Sequence, residues 1–314
     1  MKIAILESLG ITDEELMEFE TPFVEEGHTF VSYEKTTDVK TLQDEVEDTE
    51  AVILANMPFP AEAFQDAEQL KFIDIAFTGV DHVAVAAAKE KGILLSNASG
   101  YSNEAVAELA IGMMLSILRN VRQVEDRCRE GKTKDGLVGS ELKGKTVGII
   151  GLGKIGSRTA ELLHAFGAKI LAQSKSVHAD APAYVRQVSQ EELLKESDIV
   201  VLHCPLNDST RGMIDGEKLS MMKKTAILIN VARGPVVVEE DLARALRDGT
   251  IAGAGIDVFD IEPPLPVDNA LLSAPGTLVT PHVAFATKES MRLRAEIVFD
   301  NLRAYLDGGQ KNAV

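Results

Sequence analysis

The chain has no tryptophan, and aromatic residues fill only 5 % of its 314 positions. It therefore offers no stacking platform for nucleic-acid bases. Basic residues are also scarce: 32 lysines and arginines stand against 49 aspartates and glutamates, a formal net charge of −17. So negative a surface argues against nucleic acid or an anionic membrane as the main partner. It does not exclude a small anionic substrate, because a local pocket can oppose the global field. Cysteine is limited to Cys128 and Cys204, too few for a disulfide framework and suited to a reducing compartment. No Cys or His pair has metal-ligand spacing, so no metal site is expected. No run of about 18 apolar residues is present to cross a bilayer. The opening MKIAILESLG has no basic stretch ahead of a long apolar one, and reads as a first strand rather than a signal peptide. These absences leave a soluble, cytoplasmic globular protein of about two domains at ~150 residues each.

What the chain does have is alternation. Short apolar runs at Lys2–Leu6, Thr29–Tyr33, Ala51–Leu54, Phe72–Ala76 and Ile93–Ser96 are separated by amphipathic stretches such as Asp13–Phe19 and Val83–Lys91. A second series runs through Thr146–Ile150, Lys169–Ala172, Ile199–His203, Ala226–Asn230, Gly253–Asp257 and Leu278–Thr280. Strand–helix alternation predicts α/β domains with doubly wound parallel sheets. Between the two series the pattern predicts one long helix from about Asn103 to Glu130. Its middle, Leu109 to Leu118, is apolar nearly all round, as a helix buried on more than one side must be. A closing helix is expected over Lys288–Leu306.

The strand at Thr146–Ile150 runs into Gly151-Leu152-Gly153-Lys154-Ile155-Gly156 and then into helical residues. In that setting each glycine has a job. Gly151 permits the tight turn, Gly153 lets the backbone approach a pyrophosphate, and Gly156 lets helix and strand pack closely. The helix start at Lys154 and Ile155 offers open N–H groups and the positive end of a dipole. The next strand ends in Gln173-Ser174-Lys175-Ser176, where an NAD site normally carries Asp or Glu for the ribose 2′-hydroxyl. A carboxylate about 5 Å from a 2′-phosphate, at an effective dielectric near 20, would cost roughly 3 kcal/mol per unit charge. With Ser174 and Lys175 in its place, NADP(H) is expected to be preferred. The alternative is a solvated Lys175 and an enzyme that is indifferent or still uses NAD(H).

Three further strand ends carry chemistry: Asn230-Val231-Ala232-Arg233-Gly234-Pro235, Asp257 to Pro263, and Thr280-Pro281-His282. Ligands of open α/β sheets bind beyond the carboxyl ends of strands. Arg233 has a planar fork for a carboxylate and an adjacent carbonyl oxygen. His282 can give or take a proton near neutral pH, and Glu262 can fix its ring. Beside a nicotinamide, this set is equipped to interconvert 2-keto and 2-hydroxy acids. Taken singly, each residue also has a structural reading: Arg233 as a cap or partner of Glu239 or Glu240, Glu262 as a surface turn acid, His282 as a core histidine.

GLGKIG, the stretch INVARGPVVVEEDL at Ile229–Leu242, GIDVFDIEPP at Gly255–Pro264 and TPH at Thr280–His282 resemble, in order and spacing, the D-isomer-specific 2-hydroxyacid dehydrogenase family. The cofactor-site pattern is similar to that of NADPH-dependent glyoxylate/hydroxypyruvate reductases. The resemblance implies that Arg233, Glu262 and His282 are the catalytic residues. It implies a Rossmann cofactor domain, 99–285, inserted in a discontinuous flavodoxin-like substrate domain, 1–98 and 286–314, and homodimers formed through the cofactor domain. Asp257 would hold the nicotinamide carboxamide, and Val106, Cys204, Pro205 and Val231 would line the cofactor. Val106 has an equally good structural reading, and Cys204 reads as a wall rather than a nucleophile. Backbone amides at Thr78, Gly79 and Val80 would bind the substrate carboxylate. Asn56 and Met57 would face the substrate side chain. The segment Ala55–Pro60 lacks Lys and Arg, which disfavours a phosphorylated substrate. Glyoxylate, hydroxypyruvate, pyruvate and larger 2-keto acids stay open. The rival expectation is a dinucleotide-sensing, corepressor-like scaffold of the same fold without turnover.

Overall fold

The computed structural model describes residues 1–176 and 179–314. The chain divides into two compact units, Met1–Ser102 with Ala286–Val314, and Asn103–Phe285. The division falls at 102/103 rather than 98/99, because the turn before the long helix stays with the first unit.

In the first unit the strands β1 (Lys2–Ile5), β2 (Thr29–Ser32), β3 (Ala51–Leu54), β4 (Phe72–Ile75) and β5 (Leu94–Asn97) pair in the order β2-β1-β3-β4-β5, all parallel. That is the flavodoxin-like doubly wound order. β3 and β4 are buried along their whole length, which their sequences AVIL and FIDI allow at every position except Asp74. Helices α1 (Asp13–Glu25), α2 (Val39–Val46) and α3 (Val85–Glu90) connect the strands. Thr12 starts α1 with a capping box to Glu15. Gly92, at φ +72°, stops the chain just beyond α3 in a left-handed turn.

The helix Lys288–Leu306 belongs to this unit through apolar and polar contacts alike. Phe299 packs on Phe19, Phe23 and Phe30 at ring-centroid distances of 5.2, 5.7 and 5.8 Å. Asn301 donates from Nδ2 to Asp74 Oδ1 at 3.0 Å and to the carbonyl of Asn97 at 3.1 Å. Burial pushes the Asp74 carboxyl up to about 8, only partly opposed by the Asn301 hydrogen bond. Beyond the helix, Ala313 bridges Ser96 antiparallel and the Val314 N–H reaches the carbonyl of Leu95 at 3.0 Å. The tail thereby covers the edge of β5.

The second unit has β6 (Thr146–Ile150), β7 (Lys169–Gln173), β8 (Val185–Gln187), β9 (Ile199–Leu202), β10 (Ile227–Asn230), β11 (Gly253–Ile256) and β12 (Thr277–Val279). They form one parallel sheet in the order β12-β11-β10-β9-β6-β7-β8. Reading from β8, this is the 3-2-1-4-5-6 order of dinucleotide-binding sheets with one strand added. Its helices are α4 (Asn103–Leu118), α5 (Val121–Arg129), α6 (Lys154–Ala165), α7 (Gln190–Glu196), α8 (Gly216–Met221) and α9 (Glu239–Arg247). β8 escapes the sequence pattern because it is three residues long and only Val185 is buried.

The long helix expected over 103–130 is two helices. The chain breaks at Arg119-Asn120, where Asn120 is left-handed at φ +52°, a conformation asparagine tolerates. The break has a packing cause: Gly139 passes so close that a Cβ there would lie 2.6 Å from the carbonyl oxygen of Leu118. That carbonyl accepts the Ser140 N–H at 2.8 Å instead of continuing the helix. α4 buries Val106, Ala110, Ile111, Met113 and Met114, whereas α5 buries nothing. In sequence, one apolar helix and one surface helix read as a single element.

Candidate active site

The loop between β6 and α6 is shaped by its glycines. Gly151 sits at φ +99°, and a Cβ there would lie 2.7 Å from the backbone of His203 and Cys204. A Cβ on Gly156 would lie 2.0 Å from the carbonyl oxygen of Gly151, so the helix start rests directly on the turn. Around Gly153 the picture reverses: nothing lies within 4 Å of where its Cβ would be. Gly153 is also the N-cap of α6 and brings no side-chain cap, which leaves the first N–H groups of the helix, at Lys154 and Ile155, open to an anion. A tight turn, a close crossing and an open, uncapped helix start fit the pyrophosphate of a dinucleotide. Glu104 on α4 holds α6 in place through a two-pronged ion pair to Arg158, both contacts at 2.7 Å. The sequence reading misses that clamp, although Glu104 and Arg158 each have the right place on their helix for it.

The end of β7 lies beside this loop, with the Gly151 N–H on the Gln173 carbonyl at 2.8 Å. Ser174 is half-buried and Lys175 exposed there, and no carboxylate occurs in residues 173–176. Beyond β9, Cys204 is buried, and desolvation pushes its thiol up to about 11. That is the behaviour of a wall and not of a nucleophile. Pro205 next to it is exposed. His203 packs against α6 with Nε2 2.9 Å from Thr159 Oγ1, and burial pushes its pKa down to about 3, so the ring is neutral. Val106 and Val231 are both buried in one apolar cluster with Ile149 and Ala284.

Arg233, Glu262 and His282 follow β10, β11 and β12, three neighbouring strands, at the same edge of the sheet. The Arg233 turn is fastened by Asn230, which donates from Nδ2 to the Arg233 carbonyl at 3.0 Å and accepts from the Ala232 N–H at 3.1 Å. Gly234 lets this turn touch the segment after β11 backbone to backbone: a Cβ there would fall 1.9 Å from the carbonyl of Phe259. Glu239, one suggested partner of Arg233, accepts from the Asp260 N–H at 2.6 Å and from Asn269 at 3.0 Å.

His282 has a left-handed backbone, φ +55°, rare for a residue with a Cβ. The buried carboxylate of Asp257 stabilises that turn. It accepts from Thr280 Oγ1 at 2.5 Å and from the N–H groups of Val283 and Ala284 at 2.9 Å each, while the Asp257 carbonyl accepts the His282 N–H at 2.7 Å. The imidazole is mostly buried, and its Nδ1 lies 2.7 Å from Glu262 Oε2. Phe285 stands edge-on to the ring at 5.3 Å. With Nδ1 engaged by a carboxylate, Nε2 is the nitrogen that can exchange a proton with a substrate.

In the first unit, the loop after β4 presents the N–H groups of Thr78, Gly79 and Val80, which meet no acceptor among the described residues. Successive open N–H groups make a concavity suited to an anion. Asn97 holds the loop through the Thr78 carbonyl at 2.8 Å. After β3, Asn56 is partly accessible, but Met57 is fully buried. Met57 therefore does not present its side chain to a substrate as expected: its N–H is drawn to Glu7, and the side chain points into the packing. The segment carries no Lys or Arg, as read, but a lysine from another strand end, paired with Glu7 at 2.6 Å, lies beside it. Lys35, which follows β2, places its Nζ 3.3 Å from Asn56 Oδ1. Among the described residues there is no group of three or more His, Cys, Asp or Glu able to hold a metal ion, and no helix long and apolar enough to cross a membrane.

A parallel sheet with an open glycine-lined helix start and a histidine–carboxylate pair at its carboxyl edge belongs to the dinucleotide-binding class of α/β proteins. Known proteins narrow this. Residues 111–284 match the model of the D-isomer specific 2-hydroxyacid dehydrogenase NAD binding domain. The hydroxypyruvate reductase of Blautia hydrogenotrophica is 36 % identical over 296 residues, covering 90 % of this chain and 91 % of that one. The crystal structure of the TT0316 protein from Thermus thermophilus superposes over 100 % of both chains with a TM-score of 0.90 and 33 % identity. An acyclic imino acid reductase in complex with NADPH and D-Arg does so over 100 % of both chains with a TM-score of 0.91 and 27 % identity. The chain belongs to the D-isomer specific 2-hydroxyacid dehydrogenase family, and it is an oxidoreductase with an NAD-binding domain.

Proposed function

We propose that the protein reduces small 2-keto acids of the glyoxylate/hydroxypyruvate kind to D-2-hydroxy acids, with NADPH as the preferred reductant and NADH as the second choice. The observation that carries this reading is the Glu262–His282 pair at 2.7 Å, set one and two strands from Arg233. The cofactor, when bound, supplies a hydride to the carbonyl carbon. The N–H groups at Lys154 and Ile155 and the backbone at Gly153 receive the pyrophosphate. Ser174 and Lys175 receive the adenosine ribose and its 2′-phosphate, where a carboxylate would repel it. Cys204, Pro205, Val231 and Val106 form apolar walls of the cofactor site, and one remaining acceptor position of Asp257 serves the carboxamide.

The Thr78, Gly79 and Val80 amides receive the substrate carboxylate, and the Arg233 guanidinium draws electron density from the carbonyl oxygen. His282 Nε2 gives its proton to that oxygen as negative charge develops. Glu262, 2.7 Å from Nδ1, keeps the ring in place for the transfer. The apolar side of α4, including the half-buried Leu109, Leu115, Ile117 and Leu118, suits a homodimer formed through the second unit. The test is loss of NADPH absorbance with glyoxylate, hydroxypyruvate, pyruvate and phenylpyruvate, repeated with NADH. Turnover of the first two, faster with NADPH, is expected. No turnover despite cofactor binding would overturn the assignment in favour of a dinucleotide sensor.

A further inference from the structure

The segment 260–269, after β11, presents Glu262 to His282 and has little of its own to hold it in shape. It contains no helix or strand. Pro263, Pro264 and Pro266 supply no N–H donor. Ile261 is 60 % exposed and Val267 97 % exposed, so neither anchors it, and Leu265 packs only partly on the core.

One carboxylate spans both ends of this segment. Glu239 opens α9 and is half-buried. Its Oε1 accepts the Asp260 N–H at 2.6 Å, and its Oε2 accepts Asn269 Nδ2 at 3.0 Å. The Asn269 amide is oriented independently, because its Oδ1 takes the Leu271 N–H at 2.9 Å. Each of the two donors needs an acceptor, and a carboxylate offers one to each where an amide offers only one. The charge itself is opposed: burial and, after it, the Glu239 carboxylate push the Asp260 carboxyl up against the pull of Arg211. What an acid contributes at position 239 is therefore its pair of acceptors.

Two residues of chain span at most about 7 Å, so a pinned Asp260 keeps Glu262 within reach of the imidazole. The contact it must make is short, 2.7 Å from Oε2 to His282 Nδ1. We infer that Glu239 is a positioning residue for the reaction: by clasping Asp260 and Asn269 it holds the intervening turn so that Glu262 meets His282. The inference rests on the reading of Glu262 and His282 as the catalytic pair. Glu239 acts through Glu262, and its loss should be felt only while Glu262 is present.

The experiment measures kcat with NADPH and glyoxylate, NADPH affinity and unfolding midpoint for Glu239→Gln, Asn269→Ala and the reciprocal pair Glu239→Gln/Asn269→Asp. The first two are repeated in a Glu262→Ala background. Glu239→Gln sets an N–H of its own against Asn269 Nδ2 and should lower kcat about 10-fold, with NADPH affinity changed far less. Adding Asn269→Asp gives that N–H an acceptor, while the second oxygen keeps the Leu271 N–H, and should restore most of the loss. Asn269→Ala removes one side of the clasp; it should lower kcat by a smaller factor and serves if Glu239→Gln does not fold. In the Glu262→Ala background either change should cost less than about twofold, because effects carried by one shared contact do not add. Normal kcat in the folded single variants, no recovery in the folded reciprocal pair, or an undiminished loss without Glu262 overturns the positioning role alone. Near-normal turnover of Glu262→Ala itself overturns the catalytic pair and the inference with it.

Discussion

Alanine at position 234 would put a methyl group 1.9 Å from the carbonyl carbon and oxygen of Phe259 and 2.5 Å from the nitrogen of Asp260. All three are backbone atoms and cannot swing aside as a side chain would. Restoring an ordinary contact of about 3.5 Å requires the two segments to part by about 1.6 Å. One of them carries Arg233, and the other leads to Glu262, the partner of His282. A displacement of about 1 Å among reacting groups costs roughly 10²-fold in rate, so kcat for glyoxylate should fall by about that factor. Overpacking of this kind also costs about 1–3 kcal/mol of stability. The glycine-rich loop that takes the pyrophosphate follows β6, separated from β10 by β9, so NADPH affinity should fall by no more than about tenfold, through Val231 and Asp257 on the displaced segments, and by much less than turnover. Steady-state NADPH oxidation, NADPH fluorescence titration and urea unfolding measure the three quantities. A folded Gly234→Ala protein with turnover within twofold of wild type would refute the reasoning. So would NADPH binding that is lost in step with turnover, because the damage would then be global.

His282→Ala should lower turnover about 10²–10⁴-fold, and near-normal turnover would remove the imidazole from the mechanism. Ser174→Asp should move the NADPH/NADH ratio of kcat/KM toward NADH by about two orders of magnitude, the equivalent of ~3 kcal/mol; an unchanged ratio would contradict the reading of the β7 end. Iodoacetamide near pH 8 should label the exposed Cys128 and spare Cys204, whose thiol is held up at about 11, as peptide mass spectrometry would show; equal labelling would contradict it. Asp74 is protonated in the folded chain up to about pH 8 and ionised from about pH 4 when unfolded. Its contribution to stability is therefore full below pH 4 and falls by as much as ~1.4 kcal/mol per pH unit between those limits. Urea unfolding from pH 4 to 8 should show a steeper decline for wild type than for Asp74→Asn, and parallel curves would sink the assignment.

The strands and the three strand-end residues are legible in the sequence because each rests on a local signal: an apolar run, a glycine at a crossing, a polar residue just past a strand. Where the sequence reading fails, the deciding contact comes from far along the chain. The 103–130 helix breaks because Gly139 crowds the Leu118 carbonyl, and nothing between 103 and 130 says so. Met57 reads as a substrate contact beside Asn56, yet its N–H belongs to Glu7, some fifty residues earlier. Lys35 escapes notice because the order β2-β1-β3 brings it beside Asn56 only once the sheet is formed. The family resemblance assigns Asp257 to the nicotinamide, and the fold adds that three donors of the His282 turn already converge on it. The positive φ of His282 has no sequence signature at all.

The helix Lys288–Leu306 supplies Asn301 to Asp74 and Phe299 to the aromatic cluster of α1 and β2, so the first sheet lacks part of its lining until that helix is made. On the ribosome, residues 103–285 emerge in between and can close their own sheet first. The strands of residues 1–102 must wait with Asp74 unpartnered and the Phe19, Phe23 and Phe30 rings uncovered, in need of shelter from aggregation until residues 286–314 follow. Domain insertion thus fixes an order of assembly, in which residues 1–102, made ahead of 103–285, become native after them.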